Sequence, residues 1–258
     1  MCAADEDWQA MMSAKDEERP LPRISVVIPM RNEEGNVAPL IAEIAHALDS
    51  EPHEIIAVND GSTDETGTIL RNLRSTYPQL RVLHHAESRG QSAAIRDGAR
   101  AARGTVLCTL DGDGQNNPAF LPAMIAMLDA DPAIALVQGQ RTKRTDSGFK
   151  RVQSRLANAV RGRMLRDGTR DSGCGLKVMR RAAYLNLPFF DALHRFTPAL
   201  MVRDGHQVAH LDVVDRPRGS GISNYRSWAR AKVALWDLVG VWWLIKRRKP
   251  DTRTWEEA

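Results

Sequence analysis

The chain has little cysteine. Its three residues, Cys2, Cys108 and Cys174, are odd in number and sit at spacings that match no zinc or Cys-x-x-Cys pattern, which argues against a disulfide scaffold and for a reducing, cytosolic setting. No Gly-x-Gly-x-x-Gly follows the first strand-like run, where Pro29-Met30-Arg31-Asn32-Glu33-Glu34-Gly35 stands instead, and there is no Walker A loop. Redox chemistry on NAD therefore lacks its usual anchor, while a nucleotide of another kind stays open. No apolar run reaches the ~18–20 residues that cross a bilayer. The segment from Met1 to Pro20 is acidic, without the apolar core of a signal peptide, and is expected to be a flexible tail over 1–22. With no low-complexity linker in its 258 residues, the chain is expected to form one α/β catalytic domain over 23–226 and a terminal helix over 227–258.

What is present is balanced. Lys and Arg number 36 against 32 Asp and Glu, giving a formal net charge of +4. That excess suits anionic small ligands or anionic lipid rather than nucleic acid.

The first 110 residues alternate strand-like and helix-like patterns. Ile24 to Pro29 reads as a strand ended by its proline. In the helix expected from Glu34 to Leu48, Val37, Leu40, Ile41, Ile44 and Leu48 fall on one face. Strands are expected at Glu54–Val58, Leu80–Leu83 and Thr105–Leu110, and helices at Glu65–Arg74 and Gln91–Ala102. Such repetition predicts a mainly parallel sheet with helices on both faces and right-handed crossovers. Polar loops then converge on one sheet edge: Met30 to Glu33, Asn59 to Asp64, and Asp111 to Gln115. Ligands of open α/β sheets bind at that edge.

Asp111 and Asp113 flank Gly112 directly after an apolar strand. Two hard oxygen ligands on a sharp turn suit a divalent cation that also holds phosphate oxygens, although Asp and Gly are ordinary turn residues as well. Further on come a helix at Pro118–Leu128, a strand at Ile134–Val137, and a basic helix from about Lys150 to Arg166. The arginines of that helix, Arg151, Arg155, Arg161 and Arg166, read as a solvated face. A strand to Met179, a short helix opening at His194 and a strand at Gln207–Val214 complete the domain.

Taken together, Val27-Ile28-Pro29-Met30-Arg31-Asn32-Glu33-Glu34, Val58 to Asp64, Asp111 to Pro118, Gly139-Gln140-Arg141, His194 to Leu200 and Arg216 to Tyr225 resemble, in order, the motifs of family 2 glycosyltransferases of the polyprenyl-phosphate (dolichol-phosphate mannosyltransferase-like) group. The resemblance implies a GT-A, Rossmann-like fold, a GDP- or UDP-linked sugar donor, Mg2+ or Mn2+, and a polyprenyl phosphate acceptor. It places Pro29, Arg31 and Glu33 along the nucleotide, Asp60 at the base, Asp111, Asp113 and Gln115 at the metal under the diphosphate, and Arg141, Arg218 and Ser223 at phosphate. Asn224 stands where the family more often has lysine.

On these terms the expected enzyme is an inverting, metal-dependent hexosyltransferase in which Asp111, Asp113 and Arg141 serve the reaction. A phosphate acceptor arrives ionised, because its second pKa is about 6, and needs cations rather than a base. A hydroxyl acceptor in cell-envelope synthesis is the alternative, with Asp171 as the candidate base. A non-catalytic nucleotide-sugar-binding protein is a third reading. The terminal segment Ser227 to Lys246 carries Trp228, Trp236, Trp242 and Trp243 and ends in Lys246-Arg247-Arg248-Lys249. It suits an amphipathic helix at the headgroup region of the inner membrane face, helped by a membrane partner or a second copy, or equally a helix packed on the domain.

Overall fold

The computed structural model describes residues 21–142, 161–216 and 227–248. Strand β1 (Ile24–Met30) leads into helix α1 (Glu34–Ala47), β2 (His53–Asp60) into α2 (Thr66–Leu73), and β3 (Leu80–His85) into α3 (Gln91–Ala101). Strand β4 (Val106–Thr109) is followed by a 3-10 turn at Pro118–Phe120 and α4 (Leu121–Ala130), then β5 (Ile134–Arg141), β6 (Lys177–Arg180), α5 (Arg181–Asn186), α6 (Leu193–Arg203), β7 (Gln207–Val213) and α7 (Ser227–Lys246). These strands form one seven-stranded sheet in the order β3-β2-β1-β4-β6-β5-β7. β6 runs antiparallel to both β4 and β5, and every other pairing is parallel. This is the mainly parallel sheet expected from the alternating pattern.

The side-chain period of two sorts each strand between two layers. Ile24, Val26 and Ile28 of β1 pack with Val37, Leu40, Ile41 and Ile44 of α1 and with α4 on one face. Val27 of β1, with Ile56 and Val58 of β2, packs with Ala94, Ile95 and Ala99 of α3 and with α5, α6 and α7 on the other. α3 lies close because Gly98 has no side chain: a β-carbon there would stand 2.4 Å from Val27 Cγ1.

Two local expectations are corrected. Pro29 does not end β1, which continues to Met30. At Pro29 the strand pairs with β2 alone, because β4 reaches only as far as Val27. A proline there takes nothing from the β1–β4 ladder. Arg161 is not on a solvated face. It is buried against Asp167 in an ion pair and donates to Thr169 O at 3.2 Å, since a buried cation must be paired and hydrogen-bonded. Arg151 and Arg155 lie outside the described residues.

The order of strands fixes where a ligand can sit. β2 and β3 continue to one side of β1 and β4 lies on the other, so their connections diverge and leave a crevice beyond the carboxyl ends of β1 and β4.

Candidate active site

That crevice is a cleft of about 280 Å³ lined by Pro29, Met30, Arg31, Glu33, Asp60, Ser88, Gly90, Gln91 and Asp111-Gly112-Asp113. Residues from four separate loops therefore meet at one place. Thr63 N–H donates to Asn32 Oδ1 at 2.8 Å and Glu33 N–H to Thr66 Oγ1 at 2.9 Å, which ties the loop after β1 to the loop after β2.

Asp111 and Asp113 sit on the turn after β4, with Asp113 buried and Asp111 half-buried. Gln91 Nε2 donates to Asp111 Oδ1 at 2.7 Å, and Asp111 N–H donates to Asn116 Oδ1 at 3.0 Å. Gln115 N–H donates to Asp113 Oδ1 at 3.1 Å, while Gln115 O accepts from Arg216 N–H at 2.9 Å. Burial, and next to it the Asp113 charge, push the Asp111 carboxyl up to about 6, against the opposing pull of Lys177, Arg141 and Gln91. Gly175 faces this carboxylate so closely that a β-carbon would lie 2.4 Å from Asp111 Cγ. Lys177, at the start of β6, is buried beneath it with Nζ donating to Cys174 O, and desolvation lowers its pKa.

The donor set fits a hard divalent cation of a particular kind. Among the described residues no cluster of three or more His, Cys, Asp or Glu side chains could enclose a metal. Two adjacent carboxylates at an open cleft suit Mg2+ or Mn2+, whose remaining positions would be filled by substrate phosphate oxygens and water.

Asp60 lines the cleft with both oxygens already engaged. Oδ1 accepts from His85 Nδ1 at 2.7 Å and Arg89 N–H at 2.8 Å, and Oδ2 accepts from Ser88 Oγ at 2.7 Å and Gly90 N–H at 2.9 Å. Although burial works the other way, these donors hold its carboxyl below the ordinary range. Asp60 thus shapes the loop Ser88-Arg89-Gly90 that walls the cleft.

Arg141 stands at the end of β5, clamped by two acids. Its Nε and Nη2 reach Asp171 at 2.5 and 2.9 Å, and its Nη1 reaches Asp215 at 3.4 Å. The Asp171 hydrogen bonds keep the guanidinium firmly charged. Both Asp171 oxygens accept from Arg141, so the candidate base of the hydroxyl-acceptor reading is occupied. Arg218 and Ser223 lie outside the described residues, as does the tail before residue 21.

The loop after β3, which supplies Ser88, Gly90 and Gln91 to the cleft, carried the same signal as the other polar loops: it follows a parallel strand at the same edge. Gly175 and Lys177 gave no such signal, because only the antiparallel insertion of β6 brings them beneath Asp111.

Comparison with known proteins decides the class of this site. The sequence model described as Glycosyl transferase family 2 matches residues 25–187, a span that holds every wall of the cleft. The chain is a family 2 glycosyltransferase. It is 34% identical over 232 residues to the dodecaprenyl-phosphate galacturonate synthase of Rhizobium johnstonii, covering 86% of this chain and 67% of that protein. It is 36% identical over 224 residues to the undecaprenyl-phosphate 4-deoxy-4-formamido-L-arabinose transferase of Pseudomonas fluorescens, covering 85% and 65%. A third relative, the transferase of the latter name from Edwardsiella ictaluri, is 32% identical over 206 residues, covering 78% of this chain and 62% of that protein. This glycosyltransferase chain therefore spans about two thirds of the length of those relatives. Among solved structures, glucosyl-3-phosphoglycerate synthase from Mycobacterium tuberculosis, in complex with Mn2+, UDP-glucose and glycerol 3-phosphate, aligns with a TM-score of 0.64 at 20% identity, covering 92% of this chain and 83% of that one. That likeness establishes the GT-A-like fold of the glycosyltransferase.

The terminal helix of the glycosyltransferase faces two ways. Leu238 and Val241 are buried in the α3 and α6 layer, and Arg203 Nε of α6 donates to Leu244 O at 3.1 Å. Leu235, Trp236, Val239 and Trp243 are exposed, Trp236 by 75%. No helix among the described residues is long and apolar enough to cross a membrane.

Proposed function

We propose that the enzyme transfers a sugar from a nucleoside-diphosphate donor to a polyprenyl phosphate, with inversion at the anomeric carbon, at the inner membrane surface. The observation that carries this reading is the convergence of Pro29, Arg31, Glu33, Asp60, Asp111 and Asp113 on one cleft at the crevice between β1 and β4. The relatives whose names specify a polyprenyl phosphate support the acceptor, and the Mn2+ and UDP-glucose named for the solved neighbour support the donor class and the metal.

In this reading the nucleoside lies along Pro29, Arg31 and Glu33, against the wall that Asp60 organises. Asp111 and Asp113, with Gln115 beside them, would hold Mg2+ or Mn2+ for the diphosphate. When bound, such a cation neutralises the charge that accumulates on the departing phosphate. Gln91 and the close approach of Gly175 fix the Asp111 carboxylate, so its oxygens need no reorganisation when the donor arrives. The acceptor brings its own negative charge and needs no base, consistent with an Asp171 already committed to Arg141. Arg141, with Arg218 and Ser223 following β7, supplies positive and hydrogen-bonding character on the acceptor side. The exposed Trp236 and Trp243, with Lys246 and Arg247 at the helix end, suit the headgroup region of an anionic bilayer.

The test is a panel of UDP- and GDP-sugars incubated with Mn2+ and undecaprenyl phosphate, reading released nucleotide and product. A sugar phosphate that is labile in mild acid and inverted at its anomeric centre is expected. Transfer only to hydroxyl acceptors, giving an acid-stable glycoside, overturns the acceptor assignment.

A further inference from the structure

The cations around the cleft differ in what already holds them. Arg141 is clamped by Asp171 and Asp215, and Arg89 Nη1 donates to Asp97 at 2.6 Å. Arg31, which lines the cleft on the side given to the nucleotide, and Arg195, in the first turn of α6, are different: both are exposed, and no hydrogen bond or ion pair joins either guanidinium to a described residue.

Contacts of its neighbours place the turn that carries Arg195 beside the cleft wall. The preceding residue, His194, meets Ser92 Oγ through Nδ1 at 2.7 Å, and Ser92 follows Gln91, the residue that holds Asp111. Asp191, just before α6, lies against the cleft wall: a β-carbon on Gly90 would stand 3.8 Å from Asp191 Oδ1. Helix α7 packs on α6, and the carboxyl of its Asp237 is pushed up by burial and then by Asp191 and drawn down by Arg195. The exposed Trp236 of the same helix precedes Asp237 in sequence.

We propose that Arg195 binds the phosphomonoester of the acceptor, at the corner where the first turn of α6, the Gly90 loop and α7 meet. This assignment rests on the acceptor class proposed above and adds a residue to it. A guanidinium offers a planar fork of donors matched to phosphate oxygens. Neither Asp191 nor Asp237 closes an ion pair on that fork.

The test measures transfer by R195Q and R195K, with Mn2+ and the accepted donor, to undecaprenyl phosphate in micelles and to a water-soluble short-chain prenyl phosphate. R195Q is expected to raise KM for both acceptors about tenfold or more, while donor KM and nucleoside-diphosphate affinity stay within about twofold. R195K, which keeps the charge and loses the fork, is expected to recover part of the loss and also serves if R195Q folds poorly. An unchanged acceptor KM, an equal rise in donor KM, or an effect on the lipid acceptor alone overturns the assignment; the last would place Arg195 at the lipid surface and not at the phosphate. If the wild type transfers to neither phosphate, the proposed acceptor class falls and this assignment falls with it. Wild-type transfer with an unaffected R195Q removes this assignment only.

Discussion

Single residues around Asp111 carry effects out of proportion to their size. Gly175 is the sharpest case: an alanine β-carbon would overlap the Asp111 carboxylate, so G175A must move either β6 or the acid. Turnover is expected to fall about 100-fold with the melting temperature lowered only modestly, since a displacement of about 1 Å at a reacting centre has that cost; kinetics paired with thermal melting checks it. His194 gives a pH signature. Burial, then the charges of Lys177 and Arg195, push its imidazole down to about 3, while an unfolded histidine titrates near ~6.5. The folded state therefore binds fewer protons between these values, so the contribution of His194 is full above about pH 6.5 and is lost as the pH falls toward 3. Denaturant melts of H194N should show a flatter acid limb, with a difference of at most about 2 kcal/mol at pH 5.

At the level of elements, α7 lets stability be tested apart from the proposed surface binding, because one of its faces is buried and the other exposed. Leu238 and Val241 fill the layer against α6, and L238A should cost about 2–4 kcal/mol in urea unfolding. Trp236 and Trp243 touch solvent, and W236Q/W243Q should leave the unfolding midpoint in place while weakening sedimentation with vesicles rich in anionic lipid. Equal vesicle binding by this variant would contradict a membrane role for the exposed face. Both faces had a basis in the sequence, where tryptophans and a basic end could mean bilayer or packing; only the position of α6 shows that Leu238 and Val241 go inward. The alternating strand and helix pattern was legible for a similar reason. β1, β2 and β3 pair in sequence order, so local periodicity carried that half of the sheet. β6 could not be read this way, since its antiparallel place between β4 and β5 depends on contacts distant in sequence, and with it went Gly175 and Lys177. Pro29 misled because its effect on a strand depends on whether a second neighbour is present.

For the molecule as a whole, the cleft is a consequence of strand order. Loops spread from Pro29 to Asp113 meet because β1 and β4 are neighbours whose onward connections diverge. The acids were visible beforehand because two carboxylates flanking a glycine follow an apolar strand at the edge where the other polar loops converge. The neighbours that engage Arg141, Asp171 and Asp215, were not, since an arginine in a sequence does not show what it is paired with. The central claim is that Asp111 and Asp113 make nucleotide binding depend on a divalent cation. Calorimetric titration of UDP and GDP into the wild type and D113N, with and without Mn2+, tests it directly. The wild type is expected to bind one of the nucleotides about tenfold or more tightly with Mn2+ present, and D113N to show no such gain. Binding of equal strength with and without metal, or an undiminished gain in D113N, would contradict the account.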